Sequence, residues 1–109
     1  MHSIVLVIAL GSIVIAGGAA AQAQPAPFKA GDAAAGGKLV DKDCVSCHAA
    51  KFAGEPDRMY TRPDRRVKTP AQLLAQVQAC NTNLGKGYFP DEEEHIAAYL
   101  NRSFYKFPP

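Results

Sequence analysis

From Ile4 to Ala16 nearly every position is apolar, whereas beyond residue 31 apolar residues recur three or four apart among charged ones. The second pattern belongs to helices with one buried face. Asp32 is placed to cap a helix running to about Lys42, with Leu39 and Val40 inward and Gly36 and Gly37 allowing close helix contact. Thr69-Pro70-Ala71-Gln72 has the form of a capping box with proline at the first helical position. The helix it starts carries Leu73, Val77 and Cys80 on one face. Pro90, Asp91 and Glu94 open the last helix, on which Ile96, Tyr99, Leu100 and Phe104 lie at i, i+3, i+4 and i+8. No stretch alternates well enough for a strand. The pattern predicts an all-α domain of about three main helices, with long loops at 49–68 and 81–90.

The apolar run reads as the core of a secretory signal. Gly17 and Gly18 break it, and Ala21-Gln22-Ala23 offers small residues for cleavage. Residues 1–23 are therefore expected to be a signal peptide, with Gln24 the mature start. No Lys or Arg precedes the run, and the stretch through Ala21 is close to the ~18 residues a membrane span needs. An uncleaved anchor is the alternative, and only that case would attach the protein to a membrane. Either way the remainder is exported, with the bacterial periplasm the expected compartment. Residues 24–30, with Pro25 and Pro27, read as a flexible leader, and 31–109 as one small domain. A chain this short gains little stability from a side-chain core alone, and a buried cofactor would add apolar contact area.

The 12 basic and 10 acidic residues nearly balance, at +2, and nothing suggests nucleic acid. Their placement is uneven. Arg58, Arg62, Arg65, Arg66 and Lys68 are offset only by Asp64, while Asp91 to Glu94 form an acidic block. The acids suit a helix N-terminus, where the dipole favours anions. The basic stretch is either a solvated loop or a surface that neutralises cofactor carboxylates or docks an acidic redox partner.

Cys44-Val45-Ser46-Cys47-His48 is the pattern of c-type haem attachment. Two thiols three positions apart can form thioethers with the two vinyl groups of one haem. The adjacent His48 then meets the iron as proximal ligand. Other readings of C-x-x-C are a redox dithiol, half a zinc site and a short, strained disulfide. Cys80 is an odd third cysteine, with three readings: a small buried hydrophobe, an intermolecular disulfide making a dimer, or a thiolate over the haem. His95, beside three glutamates at a helix start, is expected to be exposed.

Gly31 to Val40 followed by Cys44 to Ala49 resembles the N-terminal helix and haem motif of class I cytochromes c, and Ile96 to Asn101 is similar to their C-terminal helix. The resemblance implies a small cytochrome c fold around one covalent haem c, with Tyr99 or Leu100 packed against Gly36 or Gly37. It also implies a methionine in the loop before the last helix, but residues 81–90 contain none. Met59 is then the methionine candidate for sixth ligand, with simple packing as its other reading. Pro63-Asp64-Arg65 and Cys80-Asn81 are similar to the sphaeroides haem protein group, in which an asparagine ligates iron and yields to diatomic ligands. That group's asparagine precedes the cysteine, where this chain has Ala79, while Asn81 and Asn83 follow it. Cys80, Asn81 and Asn83 are thus rivals to Met59.

Two functions follow: a periplasmic carrier of single electrons that docks transiently with a redox partner protein, or a high-spin haem protein that binds a small ligand at a weakly held distal site. The residues name no distal acid–base pair, so an enzyme is not expected.

Overall fold

The computed structural model describes residues 26–108. The apolar N-terminal run and the expected cleavage site lie outside the described residues. Among those described, five α-helices are present and no strand: α1 (Ala33–Asp43), α2 (Val45–Lys51), α3 (Arg58–Thr61), α4 (Pro70–Leu84) and α5 (Pro90–Leu100). A π-helical turn, Asn101–Tyr105, continues α5. The three longest helices stand where the apolar periodicity put them, and the fold is all-α. The short α2 and α3 occupy part of the stretch expected as loop, and α4 runs on to Leu84. None of these helices is long and apolar enough to cross a membrane.

Local chemistry explains the helix starts. Asp32 Oδ1 accepts from the Ala34 and Ala35 amides at 2.9 and 3.1 Å, satisfying donors that the first turn leaves free. The Thr69 hydroxyl accepts from the Gln72 amide at 3.2 Å. The Gln72 side chain reaches one residue further back than in a capping box and accepts from the Lys68 amide at 2.7 Å. At α5, Glu92 Oε2 accepts from the Phe89 amide at 2.9 Å. Gly85, left-handed at φ 60°, ends α4, and a short connection leads to α5.

The closest helix contact is between α1 and α5. A Cβ on Gly36 would lie 1.9 Å from the His95 carbonyl oxygen, so only glycine permits this crossing. A Cβ on Gly37 would meet the Tyr99 ring at 3.0 Å, which places Tyr99 on Gly37 as the resemblance implied. His95 differs from expectation. It is half-buried, and its Nδ1 accepts from the Asp32 amide at 2.9 Å, joining α5 to the start of α1.

Val40, Leu73, Val77, Ile96, Ala97 and Leu100 form one core with Tyr60 and Tyr105. Leu73 is almost wholly enclosed, and burying such a side chain contributes about 1.5–3 kcal/mol. Ala26 and Phe28 are buried in the same core, Phe28 at 3% exposure. For residues 26–30 this corrects the expected flexible leader, since a buried aromatic anchors them, while residues 24 and 25 lie outside the described residues.

Candidate functional site

A cleft of about 510 Å³ lies between α2 and α4, a size suited to a small-molecule or cofactor site. From the α2 side come Cys44, Cys47, His48 and Lys51, whose three- and four-residue spacings put them on one helical face. From α4 come Leu73, Gln76, Val77, Cys80, Asn81 and Leu84, again one face. Ile96, Leu100 and Tyr105 form the floor. Met59, Tyr60, Arg62, Arg65 and Arg66 make the third side, with Asp43, Lys86 and Tyr88 at an edge.

The surroundings of the cysteines separate the readings of C-x-x-C. All three thiols are free, so no disulfide joins Cys44 to Cys47. Burial, reinforced by Asp43, pushes the Cys44 thiol pKa above its ordinary value, whereas a redox dithiol needs it lowered. Among the described residues no group of three or more His, Cys, Asp or Glu side chains could complete a zinc site. What remains is a pair of free thiols on a cleft wall beside an imidazole.

His48 is half-buried on that wall, and the Tyr60 hydroxyl lies 2.9 Å from its Nδ1. The two rings meet edge-on with centroids 5.4 Å apart. With Nδ1 engaged, Nε2 is the nitrogen left for a metal. Burial, with help from Lys51, holds the His48 pKa below its ordinary value and so favours the neutral ring that ligation requires.

The sixth-ligand candidates divide by position. Met59 lines the cleft on α3, next in sequence to Tyr60. Cys80 lines it on α4; it is exposed toward the cleft rather than buried in the core, and its Sγ accepts from Gln76 Nε2 at 3.3 Å. Asn81 also lines the cleft, but its amide is committed elsewhere. Nδ2 donates to the Tyr88 carbonyl at 3.0 Å and to the buried Glu93 at 3.2 Å, while Oδ1 accepts from the Tyr88 amide at 3.0 Å. Asn83 is exposed and outside the cleft lining, which removes it from the set by position.

The basic stretch divides too. Arg58 pairs with Glu55 on the surface at 3.3 Å, and Lys68 does not line the cleft. Arg62, Arg65 and Arg66 do. Arg65 donates to the Tyr60 carbonyl at 2.7 Å, and its guanidinium lies over the Tyr105 ring. Arg62 stands over Phe52, and its Nε is buried without a hydrogen-bond partner, 3.9 Å from the nearest Asp64 oxygen.

These features fit a haem. Its apolar disc would meet Val67, Leu73, Val77, Ile96 and Leu100, and its two propionates would meet three guanidinium groups, one with an unanswered buried donor. Cys44 and Cys47 would hold its edge and His48 its iron. Periodicity and motif pointed to the cysteines, the histidine and the α4 face. They did not point to Tyr60, Asp43 or Tyr88, whose roles depend on contacts with residues distant in sequence.

The family model for cytochrome c matches residues 33–107, from the first turn of α1 to the C-terminal tail. No curated protein and no solved structure matches the chain. Motif, cleft and match agree, and the chain belongs to the cytochrome c family, haem-based electron carriers with a covalently attached haem c.

Proposed function

We propose that this cytochrome c is exported to the periplasm and passes single electrons between partner proteins, with Cys44, Cys47 and His48 as its haem-binding residues. The observation that carries the reading is the shared face of those three residues, set across a mainly apolar cleft from the Cys80-bearing face of α4. When bound, haem c supplies a one-electron iron centre. Cys44 and Cys47 would fix it by thioethers, which would prevent its loss in an open compartment. His48 would give Nε2 to the iron, and the apolar cleft walls would limit solvent reorganisation.

The exposed cations Lys51, Arg66 and Lys86 at the cleft suit an acidic partner that docks briefly through a small interface. Electrostatic steering would raise the encounter rate at low salt.

The deciding experiment is an absorption spectrum in both redox states, with and without carbon monoxide. A low-spin spectrum, reversible reduction by one electron and no response to carbon monoxide are expected. A high-spin spectrum shifted by carbon monoxide would overturn electron carriage in favour of small-ligand binding. Recovery of the mature chain from the periplasm, starting at Gln24, tests export and cleavage together.

A further inference from the structure

We infer that Tyr60 is a positioning residue that sets how strongly His48 donates to the iron, an inference that rests on His48 being the proximal ligand. Ligation through Nε2 leaves the ring proton on Nδ1, and among the described residues the group found against Nδ1 is the Tyr60 hydroxyl at 2.9 Å. Nδ1–H therefore donates to the phenolic oxygen. This hydrogen bond draws the proton away from the ring, enriches the imidazole in electron density and stabilises the ferric over the ferrous state. It also fixes the rotation of the imidazole about its own axis.

The acceptor is held rigidly. Tyr60 is buried at 6% exposure and its ring stacks on Phe104 with centroids 5.0 Å apart. Tyr105 packs against it at 6.1 Å. Its own carbonyl accepts from Arg65, which spans Tyr60 and Tyr105. Neither the ring nor the backbone is free to carry the hydroxyl away from His48. A tyrosine held in this way has no evident purpose in packing alone, since phenylalanine would stack equally well.

Tyr60→Phe removes the oxygen and keeps the ring. The reduction potential should move positive, with the ferric-to-ferrous ratio at a fixed poise falling about two- to fivefold, as expected for part of one hydrogen bond. The His48 Nδ1–H resonance of the reduced protein, slow to exchange in the wild type, should exchange rapidly in the variant. Tyr99→Phe, which removes a hydroxyl outside the cleft lining, should leave the potential in place. If Tyr60→Phe folds poorly, 3-fluorotyrosine at position 60 preserves the shape and weakens the acceptor, so a smaller positive shift is expected. An unchanged potential and unchanged Nδ1–H exchange would overturn the role of Tyr60 alone. Retention of the wild-type spectrum by His48→Ala would overturn His48 ligation and this inference with it.

Discussion

Tyr88 donates its hydroxyl to the carboxylate of Asp43, so the connection between α4 and α5 is tied to the residue just before Cys44. Lys86 adds a longer contact with Asp43 at 3.9 Å. From α4, Asn81 holds both the amide and the carbonyl of Tyr88. One edge of the cleft is thus closed by polar contacts between segments far apart in sequence.

These contacts predict a loss of stability in alkali. Burial, then the bond to Asp43, raises the Tyr88 pKa above its ordinary value, and burial raises that of Tyr105. Near pH 10 the unfolded phenols lose protons that the folded ones keep, so stability present below that pH declines as pH rises further. Denaturant midpoints between pH 8 and 11 should show this decline, and Tyr88→Phe should flatten it. An equally steep decline in the variant would locate the effect elsewhere.

Gly36→Ala should destabilise the protein by about 3 kcal/mol, because its Cβ would meet main-chain atoms that cannot yield. For a domain of this size that is a drop of roughly 12–24 °C in Tm. Gly37→Ala should cost far less, since it meets the edge of the Tyr99 side chain and gains helix propensity. Equal thermal shifts in the two variants would contradict the α1–α5 contact.

Cys80→Ala should perturb the haem spectrum more than Met59→Ala. Cys80 stands on the wall facing α2, while Met59 neighbours the tyrosine that holds His48 from behind. A side chain on the α4 wall, across the cleft from α2, is the better placed to face His48. Loss of low-spin character in Met59→Ala, with Cys80→Ala unaffected, would reverse the assignment and give His/Met ligation.

Haem should remain on the polypeptide through acid–organic extraction, since thioethers to Cys44 and Cys47 survive unfolding. Cys44→Ser or Cys47→Ser should each leave one thioether and lower the yield of holoprotein. Complete extraction of haem from the wild type would refute covalent attachment.

The features read correctly from sequence are those that need only neighbours along the chain. Asp32 and Thr69 cap their helices through residues two or three positions away, and the α4 face follows from spacing. Tyr60 escaped because its bond to His48 spans a turn and two short helices, neither long enough for periodicity to register. Asn81 is a ligand candidate through its place beside Cys80 in a family resemblance, whereas the path of the 85–88 connection claims its amide for main-chain bonds. Phe28 lay among prolines and was read by composition, which carries no information about a single aromatic finding the core.

The main-chain contact at Gly36 has a bearing on how the molecule opens. At that crossing no flexible side chain lies between the two backbones to absorb motion, so α1 and α5 should shift as one body. Because α5 supplies the floor of the cleft, breathing is left to its flanks: α4 on one side and the 52–69 segment on the other. Amide exchange should therefore be slowest along the α1–α5 seam and faster in those flanks.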